Sequence, residues 1–228
     1  MTAKAYLDRG VSPTKEDVKK AVAHQSRGLY PGAFCKILPD LAGDPEYCTV
    51  VHADGAGTKS SLAYLMYRET GDPGWFAGIA QDSLVMNTDD LACVGATDGF
   101  LLSNTIGRNA HRIDAACVAA LIRGYDETIA RMAKWGVGIT MTGGETADVG
   151  DLIRTLIADS TVVVRFPRAQ VVDASRIQAG NRIVGLASFG QAVYEDRVNS
   201  GIGSNGLTAA RHLLLSSEYR TRYPESFS

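Results

Sequence analysis

Two segments of the sequence place acidic residues and glycines directly after an apolar stretch. Residues 54–59 read Asp-Gly-Ala-Gly-Thr-Lys, and residues 143–148 read Gly-Gly-Glu-Thr-Ala-Asp. Glycine lets backbone N–H groups approach phosphate oxygens closely, and Mg²⁺ prefers carboxylates together with substrate phosphates. The pattern favours a phosphate and Mg²⁺ site, although an Asp-Gly turn or a Gly-Gly hairpin would have the same composition. The candidate residues are Asp54, Gly55, Gly57, Thr58, Lys59, Gly143, Gly144, Glu145 and Thr146.

Neither segment is a Walker A loop, because Thr58 separates Gly57 from Lys59. Two weaker candidates accompany them. Asp89 and Asp90 are adjacent on a predicted helix, so at most one faces a metal, and a solvated helix surface is the commoner explanation of such a pair. Residues 204–206, Ser-Asn-Gly, precede a predicted helix and could simply cap it.

The elements that must position these residues follow from hydrophobic periodicity. Helical spacing predicts helices over residues 12–24, 60–68, 75–94, 113–135 and 207–215. Apolar and β-branched runs predict strands over residues 47–51, 100–106, 137–141, 152–166 and 183–187. Strands and helices alternate without regular βαβ units, which predicts a mixed α/β (α+β) fold with a four-stranded sheet in the first domain. We expect a domain boundary near residues 168–180.

Composition narrows the class of protein. Of the 228 residues, 45% are hydrophobic and 21% charged, with a net charge of -2. No block of Lys and Arg occurs, so we expect neither nucleic acid nor an anionic membrane as a partner. No stretch approaches the roughly 18 apolar residues of a membrane span, and the four cysteines form no Cys-x-x-Cys pair. These features predict reduced thiols and a cytoplasmic location. No Ser/His/Asp or Cys/His order indicates a nucleophile.

The order of the motifs resembles that of aminoimidazole ribonucleotide (AIR) synthetases. Residues 6–11 are similar to the opening Tyr-x-Asp-x-Gly-Val of that family, and residues 54–59 to its Asp-Gly-Val-Gly-Thr-Lys. Residues 143–148 are close to its Gly-Gly-Glu-Thr-Ala-Glu. The remaining matches are residues 30–34, 88–91, 95–96 and 204–206. Each motif is weak alone, but together they follow the family's order along nearly the whole chain.

The resemblance implies an ATP- and Mg²⁺-dependent enzyme of purine biosynthesis that acts on a small phosphoribosyl substrate. ATP would phosphorylate the amide oxygen of formylglycinamidine ribonucleotide, and ring closure would then release phosphate and give AIR. It also implies a homodimer in which two first domains join their sheets into a barrel. The expected domains are an ATP-binding domain over residues 1–168 and, over residues 169–228, the start of a second α/β domain.

The same resemblance assigns the candidate residues to roles. The expected catalytic residues are Asp54, Lys59 and Glu145. The expected metal ligands are Asp54, Asp90 and Glu145. The expected nucleotide-binding residues are Gly55, Gly57, Thr58, Gly143, Gly144, Thr146, Ser204 and Asn205.

The sequence also departs from the family pattern. Asp89 replaces an Asn, Gly203 stands where a His is usual, residues 67–75 and 191–203 look expanded, and most of a second domain is absent. Related ATP-using enzymes are therefore alternatives. Cys35-Lys36 weakly resembles the reactive Cys-containing loop of selenophosphate synthetase, and the Gly-Asp-Asp of thiamine-phosphate kinase is missing from the first loop. A non-catalytic nucleotide-binding paralogue is a third alternative.

Overall fold

The computed structural model describes residues 3–199 and 201–227, and within them the chain forms seven α-helices and five strands. The helices are α1 (Ala3–Leu7), α2 (Glu16–Val22), α3 (Ser60–Thr70), α4 (Ala77–Ala92), α5 (Ala115–Ala133), α6 (Leu207–Leu214) and α7 (Ser217–Arg222). The strands are β1 (Leu38–Pro39), β2 (Tyr47–Gly55), β3 (Phe100–Arg108), β4 (Ile139–Asp148) and β5 (Leu156–Pro167). Short 3₁₀ turns lie at Gly57–Lys59, Pro73–Phe76, Arg168–Gln170, Ala174–Arg176 and Pro224–Ser226.

The strands form one mixed sheet in the order β1-β2-β5-β3-β4. β2 pairs antiparallel with β5, β5 antiparallel with β3, and β3 parallel with β4. Parallel neighbours need a long crossover, and α5 supplies it between β3 and β4. The predicted mixed α/β fold is therefore confirmed. The two-residue β1 is an addition to the four strands that the sequence predicted.

Within the described part of the chain, helices cover only one face of the sheet. Successive strand residues point to opposite faces, and Val50, Leu102 and Val162 on one face are buried against the helices. On the opposite face Val51 is 50% exposed and Leu101 is 48% exposed. α4 crosses β2 and β5 and packs alongside α5, so this pair of helices forms the second layer of the domain.

The longest helix, α5, has clear start and stop signals. The side chain of Asp114 accepts a hydrogen bond from the backbone N–H of Cys117, and Gly136 follows the helix with a φ of 80°. At Gly124 the helix passes so close to α4 that a Cβ would collide with the backbone carbonyl of Ala77. The sequence prediction of a helix over residues 113–135 is confirmed to within two residues at each end.

The residues after β5 are largely irregular until α6, and they pack back on the sheet domain through their final part. Tyr223 and Phe227 form a small buried cluster with Leu65 of α3. Nearby, the Glu225 carboxylate lies 2.9 Å from Nη1 of Arg112 and accepts a hydrogen bond from the Tyr64 hydroxyl. These contacts hold α6 and α7 against α3.

Two predicted strands differ from the structure. Residues 183–187 are irregular, and Ile183 is fully exposed, because no described strand lies beside them to pair with their backbone. The strand predicted over residues 137–141 does not end before the glycines but continues to Asp148. Pairing with β3 resumes at Asn104 opposite Gly144 after an irregularity, and the ion pair between Arg108 and Asp148 (2.6 Å) closes the ladder.

The buried Asn87 of α4 fixes the helix on the sheet. Its Nδ2 donates to the backbone carbonyls of Ser83 (3.0 Å), Asp54 (3.2 Å) and Ser160 (3.2 Å), and its Oδ1 accepts from Nδ1 of His52 (3.0 Å). One side chain thus satisfies polar groups of α4, β2 and β5. No helix among the described residues has the length and apolar character needed to cross a membrane.

The Asn87→Ala variant should lose about 3 kcal/mol of unfolding free energy, because its partners stay buried without hydrogen bonds. Urea denaturation monitored by circular dichroism would measure the loss. The matched control is Asn181→Ala, at an exposed position in an irregular segment, which should change stability by less than about 0.5 kcal/mol. Equal effects of the two variants would contradict the role given to Asn87.

Candidate functional site

The carboxyl end of β2 brings two acidic residues together. β2 pairs with β5 up to Gly55 opposite Asp159, and a Cβ at Gly55 would collide with the Asp159 carboxylate and lie only 2.8 Å from the backbone carbonyl oxygen of Ala158. Glycine is therefore required at position 55 for a steric reason. The neighbouring Asp54 is close enough to Asp159 to raise the pKa of that carboxyl, after burial, which is the larger cause. The two carboxylates therefore interact electrostatically where the strand ends, although strand alternation places Asp54 with the buried Ser160 on the helix-covered face and Asp159 with Gly55 on the opposite face.

A positively charged side chain lies just beyond this pair. The chain leaves β2 through the 3₁₀ turn Gly57–Lys59, with Gly57 at a φ of 54°, and continues directly into α3. Nζ of Lys59 lies 2.5 Å from Oδ1 of Asp82 on α4, and both side chains are mostly buried. Burial raises the pKa of Asp82, whereas the hydrogen bond and charge of Lys59 act in the opposite direction. The ammonium group is therefore held in place by its partner.

The turn also contacts the C-terminal part of the chain. The hydroxyl of Thr58 is hydrogen-bonded to that of Thr208 in the first turn of α6. Ser204 and Asn205 directly precede α6, so the structure brings the segment 204–206 towards the turn at Gly57–Lys59. The backbone carbonyl of Ser204 accepts from the N–H of Leu207, and Gly206 occupies the N-cap position with a φ of 79°. We refer to Asp54, Thr58, Lys59, Asp82 and Asp159 as the β2-end site.

The adjacent acids of α4 point in different directions, as expected from their spacing. Oδ2 of Asp90 lies 3.2 Å from Nε2 of His52 on β2, which places it in the layer between helix and sheet. Asp89 instead lines a cavity of about 250 Å³ between α4 and α5, together with Arg131 and Trp135. Burial raises the pKa of Asp89, and the neighbouring Asp90 adds to this rise. Neither residue belongs to the β2-end site.

Glu145 does not approach Asp54 or Asp90 within one chain. In the sheet, Glu145 pairs with Thr105 of β3. Thr105 pairs in turn with Asp159 of β5, and Asp159 pairs with Gly55 of β2. Three strand spacings put Glu145 roughly 14 Å from the end of β2. Its side chain is exposed on the face of the sheet that helices leave open.

The prediction that Asp54, Asp90 and Glu145 form one metal site is therefore wrong for a single chain. Within residues 3–199 and 201–227 no three His, Cys, Asp or Glu side chains are grouped so as to hold a metal ion. The reason is the strand order, because β4 pairs with β3 at the edge and not with β2. Gly143, Gly144 and Thr146 are likewise exposed on β4, inside the strand rather than in a turn after it.

Two residues of the β2-end site were not singled out as ligands from sequence. Asp159 is followed by Ser160 and Thr161 in a strand that is otherwise mostly apolar, and this polar interruption was the signal in the sequence. Asp82 lies one turn and a half before Asn87 on α4, and only the packing of this helix places it beside Lys59. Chemically, two carboxylates can share a divalent cation, and a fixed ammonium group can neutralise a phosphate.

Cys35 has none of the features of a reactive thiol. It is buried, and its Sγ donates to the backbone carbonyl of Asp90 at 3.3 Å. Burial, with smaller contributions from Asp90 and Cys93, raises the pKa of the Cys35 thiol to about 11. A nucleophilic cysteine needs a lowered pKa and access to solvent.

Known proteins provide an independent comparison. Phosphoribosylformylglycinamidine cyclo-ligase of Pyrococcus furiosus is 31% identical over 170 residues, which are 74% of this chain and 43% of that protein. The same enzyme of Desulfitobacterium hafniense is 28% identical over 221 residues, or 96% of this chain and 57% of that protein. Among solved structures, T. maritima PurL complexed with FGAR matches 75% of this chain and 26% of its own, with 16% identity and a TM-score of 0.40.

The chain spans about half the length of the curated relatives that it matches. The family described as AIR synthase related protein, N-terminal domain, matches residues 33–164, which include β2, the turn after it, α4 and most of β5. This match covers more than half of the 228 residues. The chain therefore belongs to the AIR synthase related protein family, through the N-terminal domain of that family.

Proposed function

We propose that this chain is the ATP-binding part of a phosphoribosylformylglycinamidine cyclo-ligase, which uses ATP and Mg²⁺ to close the ring of formylglycinamidine ribonucleotide. The observation that carries the proposal is the β2-end site, where a Lys59–Asp82 pair and two further carboxylates adjoin a glycine turn. Family membership and the names of the relatives support this substrate. The buried Cys35 argues against a mechanism like that of selenophosphate synthetase.

The phosphates of ATP would lie against the turn at Gly57–Lys59. A Cβ at Gly57 would meet no atom within 4 Å, so the turn is open on that side. The backbone N–H of Lys59 already donates to the carbonyl of Ala56, so phosphate oxygens would approach the N–H groups that precede it. Lys59 would supply the positive charge, and Asp82 would keep it oriented. Thr58, Ser204 and Asn205 would add polar contacts from the two sides of the same space, because Thr58 is bonded to α6.

Mg²⁺ would bind at this end of β2, where the charges of Asp54 and Asp159 interact. This ion is commonly held by one or two carboxylates together with substrate phosphates, rather than by a complete protein cage. Burial and, to a smaller extent, the charge of Asp54 raise the pKa of Asp159, so a nearby cation would favour the ionised form of this carboxyl. When bound, Mg²⁺ would neutralise charge on the phosphates of ATP. Asp90 would act only indirectly, by holding His52 of β2 in place between α4 and the sheet.

The proposed reaction consists of two bond exchanges. The amide oxygen of the substrate attacks the γ-phosphorus of ATP, the bond to the β,γ-bridging oxygen breaks, and ADP leaves. The amidine-side nitrogen then attacks the activated carbon, the C–O bond breaks with its electrons on phosphate, and the nitrogen loses a proton as the imidazole closes. Such phosphoryl transfer depends mainly on positioning and charge stabilisation, which Lys59 and the acidic pair can supply without a protein nucleophile.

We further propose that two copies associate through the open face of the sheet. Val51 and Leu101 both lie beside Val163 on this face, so they form an exposed apolar row. Glu145 lies on the same face, and a role for Glu145, Gly143, Gly144 and Thr146 in nucleotide chemistry would require a second copy to cover it. We also propose that the ATP-binding domain ends at residue 168 and that the protein is cytoplasmic.

ATP and Mg²⁺ together should raise the melting temperature of the chain more than either does alone, because ligands that bind only the folded state stabilise it. The Lys59→Met variant should bind Mg·ATP at least about tenfold more weakly, since hydrogen bonds to charged groups contribute roughly 1.5–3 kcal/mol. Titration calorimetry and differential scanning fluorimetry measure both effects.

The control for net charge is Lys134→Met, at an exposed position after α5. If Lys59→Met unfolds because Asp82 loses its partner, Lys59→Met with Asp82→Asn restores a neutral pair and tests binding on a folded chain. No response of the wild-type chain to Mg·ATP, or an unchanged affinity in the double variant, would contradict the nucleotide site.

The Asp159→Asn variant should be more stable than the wild type at pH 7 without Mg²⁺ and should lose stabilisation by Mg²⁺. In the wild type the folded pKa of Asp159 is raised. The protonated carboxyl therefore contributes stability below pH 3.8, and this contribution is lost as the pH rises through the folded pKa. The gain should therefore vanish near pH 3. Thermal melts from pH 3 to 8 measure it.

The control is Asp148→Asn, which should show the opposite sign. Arg108 lowers the pKa of Asp148, so its contribution is present above pH 3.8 and is lost as the pH falls. This variant should be less stable at pH 7 and should keep its response to Mg²⁺. A parallel pH profile for the two variants would rule out an unfavourable ionised carboxyl at Asp159.

Light scattering should give twice the chain mass for the wild type and one chain mass for Leu101→Asp. A charge on the open sheet face would be buried without a partner at the interface. The matched control is Leu152→Asp, in an exposed loop before β5, which should stay dimeric. A monomeric wild type at micromolar concentration would exclude association through this face.

A further inference from the structure

The cavity of about 250 Å³ that Asp89 lines is separate from the β2-end site. Gln81, Val85 and Asp89 of α4 belong to one of its walls, and because four residues separate each from the next, they share one face of that helix. Residues 128, 131, 132 and 135, in α5 and directly after it, form the facing wall in the same way. We call this space the α4–α5 cavity.

α4 and α5 run in the same direction beside the cavity. The close approach of α5 at Gly124 is to Ala77, at the start of α4. Further along both helices, Nη1 of Arg131 donates to Oε1 of Gln81 at 2.9 Å. The guanidinium of Arg131 is therefore held at the level of Gln81, towards the N-terminal end of α4.

The other end of the cavity lies where both helices finish. Asp89 is in the last turn of α4, and Trp135 follows the end of α5. Eight residues separate Gln81 from Asp89, which is about 12 Å along an α-helix, so Arg131 and Asp89 lie at opposite ends of the cavity. Helix C-termini carry partial negative charge, and two of them at one end favour a cation there.

The carboxylate of Asp89 adds a full negative charge to this end. In the described part of the chain no cation compensates it, and the charge that acts on it is that of Asp90. Asp89 is exposed to solvent, so a ligand has access to it. The AIR synthetase pattern has Asn at this position, so the charge is an addition to the family pattern.

Two exposed aromatic side chains also line the cavity. Trp135 is 56% exposed and Tyr194, from the irregular segment, is 55% exposed. The face of an aromatic ring attracts an ammonium group, and this attraction is strongest for Trp. Val85, Met132 and Val137 add apolar surface. A carboxylate, two rings and an apolar wall together match a positively charged group on an apolar body.

We propose that the α4–α5 cavity binds a small organic ammonium ion. Asp89 is its counter-ion, Trp135 and Tyr194 contact the cationic group, and Val85 and Met132 pack against the apolar body. The cavity is smaller than the roughly 300–1,000 Å³ of sites for drug-sized ligands, which sets the size of the ligand. Asp89 lies outside the β2-end site, so this binding is independent of the proposed nucleotide chemistry.

The test compares 2-phenylethylamine, its neutral analogue 2-phenylethanol and the zwitterion phenylalanine on the intact 228-residue chain at pH 7. Titration calorimetry should show binding of the amine and at least about tenfold weaker binding of the alcohol, which lacks the charge. The chain has two tryptophans, so in Trp75→Phe the remaining Trp135 reports on the cavity itself. Its fluorescence should change over the same range of amine concentration.

The Asp89→Asn variant keeps the shape of the side chain and removes its charge. Its affinity for 2-phenylethylamine should fall at least about tenfold, because the charge-assisted interaction is lost. Asp126→Asn, at an exposed position of α5, matches the change in net charge and should bind as the wild type does. Asp89→Asn should melt no lower than the wild type at pH 7, since burial and Asp90 both disfavour the charge. Lost binding is then not lost folding.

The Arg131→Met variant separates an ammonium ligand from a zwitterionic one. For 2-phenylethylamine its affinity should equal or exceed that of the wild type, because a positive charge is removed from the wall. If phenylalanine binds more tightly than the amine and Arg131→Met abolishes this binding, the ligand is a zwitterion and the proposal is overturned. A wild-type chain that does not bind the amine, or equal binding of amine and alcohol, also overturns it, as does unchanged affinity in Asp89→Asn.

Nucleotide binding distinguishes this cavity from the β2-end site. Asp89→Asn should keep the wild-type response to Mg·ATP, and Lys59→Met should keep the wild-type affinity for 2-phenylethylamine. If Mg·ATP does not bind while amine binding depends on Asp89, the ammonium site stands and the proposed function fails. If Asp89→Asn loses Mg·ATP and amine together, Asp89 belongs to the nucleotide site and the separate ammonium site is overturned.

Discussion

The structure depends above all on the buried carboxamide of Asn87. Its hydrogen bonds to the carbonyls of Asp54 and Ser160 set both the height and the rotation of α4 on the sheet. Because Asn87 fixes the helix, the regular geometry of α4 places Asp82 beside Lys59 and Asp90 beside His52. Because a buried amide must satisfy its donors, a small shift of the helix would break several bonds at once, and this makes the arrangement of the site specific.

Local patterns in the sequence were sufficient for those features that local chemistry determines. The helix over residues 113–135, the strand that leads to Asp54 and the acid–glycine turn were all predictable, because periodicity and turn residues report on the next few positions. The order of the strands was not predictable, because the composition of β4 does not reveal which strand it pairs with. The register that separates Glu145 from Asp54, and the pairing of Asp159 with Gly55, arise from contacts between residues far apart in sequence.

The candidate sites share one physical feature, which is that ionisable side chains are buried where the charged form is less stable than in water. Burial raises the pKa of Asp82, Asp89 and Asp159. A fold selected for stability alone would replace such groups with neutral or apolar residues.

The position of β4 has a further consequence for the order in which the sheet opens. Among the described residues this strand is hydrogen-bonded to a neighbour on one side only, and its ladder is interrupted at the exposed Thr142 and Gly143. Amide protons in such an edge exchange through local fluctuations that need far less free energy than global unfolding, whereas those of β5, bonded on both sides, exchange only when the domain unfolds. The segment 143–146 is therefore the part of the sheet whose conformation a bound molecule can most readily change.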